Sequence, residues 1–264
     1  MEFPHFPAGP GEHAGPVTRV SERLWHALDD DRVVGRAEAS PRPDGRLFVS
    51  VDAWHREVFD QLAEAMLAEL PKPLYTVVDE ADTDLTAQWQ RAGFTVRRRE
   101  WDYLVPTDPR STGLGPLLPP PGVTVLPVGE AQEAPLRAVD RVIREEVEAA
   151  VGWHEMPAEI LVRPDRDTVV DPSKYAVAAE AGQYVALARV LAFRLPRIGL
   201  IAVRADRRRR GVARALLAEV LGSLHRDGHP SALAEVNESN AAAVALFDGV
   251  GGRRAGSNLE LVRR

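Results

Sequence analysis

The segment from Ile198 to Leu224 restricts the fold of this chain most strongly. The apolar run Ile198–Val203 is typical of a β-strand, and apolar residues recur at helical spacing from Ala213 to Leu224. Between them lies a basic turn that contains Gly211. A strand that leads into a helix through such a turn directs the unpaired N–H groups of the first helical turn toward one point, where the helix dipole attracts an anion. The segment therefore predicts a pyrophosphate-binding turn.

The residues of this turn distinguish it from two common phosphate-binding loops. The chain contains neither G-x-x-x-x-G-K-[ST] nor a three-glycine dinucleotide fingerprint here. Arg208-Arg-Arg-Gly211-Val-Ala213 instead resembles the [Q/R]-x-x-G-x-[G/A] signature of the GNAT superfamily of acyl-CoA-dependent N-acyltransferases. Taken alone, the arginine run also fits a solvated helix start or a patch that binds nucleic acid.

A second segment, Ser231 to Gly251, strengthens the resemblance. It reads as a short strand, a polar turn, an Ala-rich helix that begins at Asn240, and a glycine stop. This order resembles the L-E-V-x-x-x-N-x-x-A-x-x-L-Y-x-x-x-G-F segment of the same superfamily. Two such elements in the right order are far more specific than either one alone.

Composition excludes several function classes. The net charge of -6 over 264 residues argues against a general nucleic-acid-binding protein. The absence of cysteine excludes disulfides, thiolate catalysis and a Cys-based zinc site. His225 and His229 have metal-ligand spacing, but Asp227-Gly228 interrupts the helix that would align them, so we expect no metal site. With neither a signal peptide nor an apolar membrane span, we expect a cytoplasmic monomer or homodimer that contacts neither nucleic acid nor membrane.

The order of strands and helices repeats along the chain and predicts an α/β fold. Together with the resemblance, the repeat predicts two GNAT-like domains in tandem, each with a central, mostly antiparallel sheet flanked by helices. We expect a disordered tail over 1–16, a first half over 17–107, a stiff Pro-rich linker over 108–121 and a second half over 122–264. The predicted strands are 31–39, 45–51, 73–78, 95–105, 123–128, 174–181, 184–193, 198–203, 232–236 and 253–262, and the predicted helices are 56–70, 84–92, 130–151, 213–224 and 240–250.

The two halves differ where the chemistry would take place. No glycine lies between Gly45 and Gly93, and the first strand-to-helix turn reads Asp52-Ala-Trp-His. An acidic residue and a tryptophan there would repel or obstruct a pyrophosphate. The first half is therefore a degenerate GNAT-like domain, and we expect one active site, in the second half.

The resemblance implies that the chain binds acetyl-CoA, or a related acyl-CoA, as a co-substrate. It implies transfer of the acyl group to a primary amine of a small molecule or peptide. The family's acyl-CoA contacts map onto Ile201, Ala202, Val203, Arg208, Arg209, Arg210, Gly211, Val212, Ala213, Arg214, Asn240 and Phe247.

Glu235 is the candidate general base. It occupies the position at which N-terminal acetyltransferases of this superfamily carry a glutamate. The alternative is a glutamate that pairs with an arginine across the strand. Phe247 replaces the tyrosine whose hydroxyl protonates the departing thiolate in the family. Either arginines or water assist that thiolate, or Tyr175 or Tyr184 substitutes, or catalysis is weak or absent.

The acceptor pocket corresponds to residues 145–172, in which Trp153 and His154 are the candidate substrate-binding residues. An aromatic side chain beside acidic groups suits a cationic amine. Glutamates in this segment also fit the solvated face of a helix. A different class of function, a catalytically silent acyl-CoA-binding regulatory module, is the alternative to the transferase.

Overall fold

The computed structural model describes residues 15–42, 44–115, 118–150 and 170–264. These residues form a twelve-stranded mixed sheet with helices on both faces. The strands are β1 (Val17–Ser21), β2 (Leu24–Asp29), β3 (Arg32–Pro41), β4 (Leu47–Ala53), β5 (Leu74–Asp79), β6 (Thr95–Pro106), β7 (Val123–Leu126), β8 (Tyr175–Glu180), β9 (Gln183–Leu191), β10 (Arg197–Val203), β11 (Ser231–Asn237) and β12 (Arg253–Arg263). The helices are α1 (Arg56–Glu69), α2 (Thr83–Arg91), α3 (Pro109–Thr112), α4 (Glu133–Ala150), α5 (Val212–Arg226) and α6 (Ala241–Asp248).

The strand order reveals an exchange between the two halves of the chain. Across the sheet the order is β1-β2-β3-β4-β5-β12-β6-β11-β10-β9-β8-β7. The last strand of the first half, β6, pairs with β11 of the second half, and the last strand of the second half, β12, pairs with β5 of the first. The antiparallel β6–β12 pair lies between them. The tandem arrangement is thus confirmed, and the two halves are joined into a single sheet.

Each half contains a parallel strand pair that separates soon after it begins. The β10–β11 pair is joined only at Arg197–Leu233 and Ile198–Ala234, after which the two strands diverge. The β4–β5 pair of the first half is likewise joined over only two residue pairs. The opening between β10 and β11 lies directly before the turn that leads into α5.

The two faces of the sheet carry different helices. On one face, which we call the α5 face, Leu216, Leu217, Val220 and Leu221 of α5 pack against buried alanines of β8 and β9. Helices α1 and α2 form the corresponding core of the first half on this face, around Trp25, Phe59, Leu62, Met66 and Trp89. On the other face, the α4 face, α4 packs through Leu136, Val139 and Ile143 against β8 and β9. Within the described ranges no helix is long and apolar enough to span a membrane.

Most of the predicted elements are confirmed to within three residues at their described ends. The strands β1 and β2 were not predicted, because the four residues after Val17 in β1 are exposed and β2 buries little besides Trp25 and Ala27. The segment predicted as a stiff Pro-rich linker, 108–121, is partly folded. It contains the short helix α3, and Leu114 is buried in the core of the second half. The predicted tail lies largely outside the described residues, and the domain boundaries stay predictions.

A buried charge cluster joins the exchanged strand β12 to the first half. The Glu260 carboxylate is 4% exposed and forms ion pairs with the guanidinium groups of Arg46, at 3.3 Å, and Arg97. Arg98 lies 3.3 Å from its second oxygen. Buried arginines require a nearby negative charge because they have lost most of their hydration.

We expect Glu260→Gln to destabilise the protein by about 3–5 kcal/mol, because three arginines then keep their charges without this carboxylate. Urea unfolding followed by circular dichroism measures the effect. The matched control is Glu219→Gln, whose partner Arg226 lies 3.0 Å away with its side chain 64% exposed. Such a surface pair contributes about 1 kcal/mol or less. Equal losses in the two variants would contradict a structural role for the cluster.

Candidate active site

The turn between β10 and α5 has the geometry of an anion-binding site. Gly211 is the N-cap of α5, adopts a left-handed φ of 86° and has no side chain to cap the helix. The first hydrogen bond of the helix joins the Ala215 N–H to the Gly211 carbonyl at 3.0 Å. The N–H groups of Val212, Ala213 and Arg214 therefore have no acceptor within the helix, and they are available to a ligand.

The arginines of the turn divide into two groups. Arg207 forms ion pairs with Glu180 and Asp206, and Arg208 donates from Nε to the Val203 carbonyl at 3.1 Å. These two side chains hold the turn against the protein.

Three other arginines, Arg209, Arg210 and Arg214, are exposed and have no ion-pair partner in the described part of the chain. Their positive charges surround the start of α5. This is the distribution that a polyanionic ligand such as a pyrophosphate requires, because the helix N–H groups and the arginines attract the same charge.

Helix α4 fixes the other side of the turn. The Glu146 carboxylate accepts a hydrogen bond from the Ala205 N–H at 2.7 Å and lies 3.7 Å from the Arg208 guanidinium. Glu146 therefore belongs to the framework of the turn, although its position on an amphipathic helix is also typical of a solvated glutamate.

The opening between β10 and β11 exposes backbone donors of β10. The Arg204 N–H bonds to the Val185 carbonyl in β9 at 2.9 Å. Because backbone groups alternate sides along a strand, the N–H groups of Ile201 and Val203 point away from β9 and into the opening, whereas the N–H of Ala202 points toward β9. Of the three predicted contacts on β10, two thus present hydrogen-bond donors where the strands diverge.

Asn240, the N-cap of α6, and Phe247 within this helix follow β11, which forms one side of the opening. The Asn240 side chain accepts a hydrogen bond from the Ala243 N–H at 3.1 Å and so caps α6. Phe247 is 3% exposed, and its ring lies 5.8 Å from that of Tyr103 between centroids. Phe247 is therefore a core residue.

The structure also brings a tyrosine hydroxyl to this region that sequence reasoning missed. Tyr103 of the exchanged strand β6 donates to the Asp248 carboxylate at 2.9 Å and accepts from Arg254 Nε at 3.1 Å. Tyr175 and Tyr184, the predicted substitutes for the missing acid, lie under α4 on the opposite face. Burial raises the pKa of Tyr175, and the Tyr184 hydroxyl accepts from the Gln132 N–H at 3.0 Å. A role for either tyrosine in place of the missing hydroxyl stays a prediction.

Glu235 forms an ion pair with Arg197 of the neighbouring strand β10. This is the arrangement that the alternative interpretation of Glu235 describes, and a role as general base stays a prediction. Its position is nevertheless informative, because Glu235 directly follows Ala234, the last β11 residue that is paired with β10. Glu235 therefore lies at the apex of the opening.

A second carboxylate that the sequence did not indicate lies beside Glu235. Asp102 of β6 is the antiparallel partner of Glu235. The pKa of its carboxyl is raised, chiefly by burial, although Arg197 and Asn258 act in the opposite direction. The predicted acceptor residues Trp153 and His154 lie outside the described residues. Among the residues that are described, no cluster of three or more His, Asp or Glu side chains could hold a metal ion.

Comparison with known proteins agrees with this geometry. Residues 139–251, which include the β10–α5 turn, β11 and α6, match the model of the acetyltransferase (GNAT) family. Residues 139–251 are a GNAT acetyltransferase domain. No match to a curated protein was found.

Solved structures show that the GNAT likeness extends over both halves. A GCN5-related N-acetyltransferase from Sphaerobacter thermophilus shares 20% identity at a TM-score of 0.61, with coverage of 93% of this chain and 82% of that one. A tandem GNAT protein from the clavulanic acid biosynthesis pathway shares 14% sequence identity at a TM-score of 0.62, with coverage of 90% of this chain and 81% of that one. A GCN5-related N-acetyltransferase from Kribbella flavida shares 16% sequence identity at a TM-score of 0.56, with coverage of 95% of this chain and 90% of that one. At these identities the likeness concerns the fold, which is that of tandem GNAT proteins.

Proposed function

We propose that this GNAT protein transfers an acetyl group from acetyl-CoA to a primary amine of a small molecule or peptide. The observation that carries the proposal is the start of α5, where three unpaired N–H groups and three arginines without an ion-pair partner in the described residues lie beside the β10–β11 opening. Arg209, Arg210 and Arg214 would hold the pyrophosphate together with the helix N-terminus. The ligand's thioester arm would extend from there into the opening.

The residues of the opening fit the needs of acyl transfer. The carbonyl oxygen gains negative charge as the amine attacks, so it requires hydrogen-bond donors already in place. The N–H groups of Ile201 and Val203 are suitable donors because they face the opening. The attacking amine must lose a proton, and carboxylates lie at the apex of the same opening. Donors for the carbonyl and acceptors for the proton thus flank one gap in the sheet.

Two observations favour the second candidate function, a regulatory module that binds acyl-CoA without turnover. Phe247 provides no hydroxyl to protonate the departing thiolate, and the Glu235 carboxylate is already engaged by Arg197. Such a module would keep the pyrophosphate site and lack the chemistry, so binding and turnover separate the two candidates.

Calorimetry with acetyl-CoA, followed by release of free thiol from acetyl-CoA in the presence of an amine panel, tests the proposal. The panel contains small primary amines and peptides with free N-termini, and each amine is matched with its N,N-dimethyl derivative. We expect binding in the micromolar range, about -8 kcal/mol, and thiol release only with the primary amine, whose product gains one acetyl group by mass spectrometry. Binding without release from any amine would favour the regulatory module.

A further inference from the structure

A row of polar side chains crosses the α4 face of the sheet at the apex of the β10–β11 opening. Glu235 on β11 and Asp102 on β6 are directly opposite each other in the antiparallel register. Residues in such positions have Cβ atoms about 4.5–5.5 Å apart, and their side chains lie on the same face. The two carboxylates therefore form a pair, although one belongs to each half of the chain.

Neighbouring strands fix this pair from both sides. The Asn258 amide on β12 donates to the two oxygens of Asp102 at 3.3 and 3.1 Å. Arg197 on β10 pairs with Glu235. One arginine thus faces two carboxylates, and the group carries one net negative charge.

The two carboxylates differ in what they can do. Arg197 partly balances the charge of Glu235, whereas Asp102 is hydrogen-bonded only to a neutral amide among the contacts that the structure gives for it. The pKa of Asp102 is raised, chiefly because its carboxyl group is partly buried. The charge of Arg197 and the hydrogen bond from Asn258 each lower this pKa by less, and the charge of Asp79 on β5 raises it further. A carboxylate with a raised pKa accepts a proton more readily than an ordinary one does.

We propose that Asp102 is the catalytic group that accepts the proton of the acceptor amine, and that Glu235 binds that amine as a cation. The proposal rests on the proposed acetyl transfer and assigns the exchanged strand of the degenerate half a part in the chemistry. Two carboxylates that together with Arg197 carry one net negative charge are suited to an ammonium group, because they supply both attraction and a proton acceptor.

The ammonium group gives one proton to the Asp102 carboxylate, and the free amine forms the C–N bond with the thioester carbonyl. The C–S bond then breaks, its electron pair stays on sulfur, and the sulfur takes the second proton from the nitrogen. The third proton stays on the amide, and Asp102 returns its proton to water.

The test compares Asp102→Asn with Asp60→Asn in the full chain, with acetyl-CoA and the amine that supports thiol release. Asp60 is an exposed residue of α1 that pairs with Arg56 and takes no part in the opening. The asparagine at position 102 keeps the shape of the side chain and an oxygen for Asn258, but it accepts no proton. We expect kcat to fall by about 10²–10⁴-fold in Asp102→Asn and by less than about threefold in Asp60→Asn. The dissociation constant for acetyl-CoA should stay within about twofold in both.

The pH dependence distinguishes catalysis from a structural role. In the wild type, kcat should fall as the pH drops through the Asp102 pKa, because a protonated carboxyl group accepts no further proton. The midpoint of this acid limb of the pH profile should lie above the usual aspartate pKa of about 3.9. It should vanish in Asp102→Asn. The other charged groups near Asp102 are Glu100 on the same strand, Glu235, Arg197 and Asp79. Glu235→Gln should keep the limb and raise KM for the amine.

The possible outcomes distinguish a failure of this proposal from a failure of the proposed acetyl transfer on which it rests. If the wild type releases thiol and Asp102→Asn does so equally fast, or keeps the acid limb, Asp102 is not the proton acceptor and the transferase proposal stands. If the wild type binds acetyl-CoA but none of the amines in the panel supports thiol release, both proposals fail. A lower melting temperature and weaker acetyl-CoA binding in Asp102→Asn, with the same pH limb, would show a structural residue. An Asp102→Glu variant that retains part of the activity and the limb would support catalysis.

Discussion

Replacing Gly211 with glutamate is expected to abolish measurable binding of acetyl-CoA. Gly211 has a φ of 86° at the start of α5, a conformation that costs an L-residue about 1–2 kcal/mol. A glutamate there also places its carboxylate beside the N–H groups of Val212, Ala213 and Arg214. Because the carboxylate takes those donors and repels phosphate, both main attractions of the site are lost at once.

Calorimetry on two further variants separates charge from backbone strain. Gly222→Glu introduces the same group on the same helix, about 16 Å from the helix start at 1.5 Å per residue, and it should leave binding unchanged. In Gly211→Ala the new methyl group meets nothing closer than Pro120 Cγ at 3.6 Å, so the change tests the strained φ alone. We expect it to weaken binding by about tenfold. If Gly211→Glu binds acetyl-CoA as the wild type does, the pyrophosphate lies elsewhere and the proposed function loses its main support.

The phosphate-binding turn could be predicted because all of its parts are contiguous. The strand, the glycine and the amphipathic helix follow one another within Ile198 to Leu224, and each has a local signal. The division of the arginines was not predictable in the same way. Arg207 and Arg208 are held by Glu180 and Glu146, which come from other elements. Only the folded arrangement shows which positive charges are left for a ligand.

The exchange of β6 and β12 has no signal in the sequence. Alternation of apolar and polar residues identifies a strand and its buried face, but it does not specify the neighbouring strand. Both strands were predicted within one residue of their observed bounds. Their partners lie in the other half, however, so Asp102 and Tyr103 were assigned to a domain without chemistry. The structure places Asp102 beside Glu235 and Tyr103 beside Phe247.

Glu235 shows the limit of inference from a resemblance. Glu235 lies at the apex of the β10–β11 opening, and its role as general base stays a prediction. The resemblance did not include Arg197, which lies at the start of β10 and engages the carboxylate. A role assigned to one side chain thus depends on the charge of a neighbour in another strand.

The second half, residues 122–264, is expected not to fold when it is produced without the first. In the whole chain β6 pairs with β11 from Ser231 to Asn237 and separates β11 from β12. Without β6, the strand β12 has no neighbour from its own half. Tyr103 and Val105 are fully buried in the core of the second half, and their loss removes large side chains at about 3–5 kcal/mol for the aromatic one alone. Such losses approach the whole stability of a typical domain, about 5–15 kcal/mol.

Co-production of the two pieces provides the control. Residues 1–121 and 122–264 made together should associate, because β6 and β12 then exchange as in the intact chain, and the complex should bind acetyl-CoA. Solubility, circular dichroism and calorimetry on the separate and the combined pieces measure the difference. A second half that is folded, monomeric and able to bind acetyl-CoA by itself would show that another segment can take the place of β6. In that case β6 would not be needed to complete the pyrophosphate site, and its part in the site would be confined to Asp102 in the carboxylate pair at the apex of the opening.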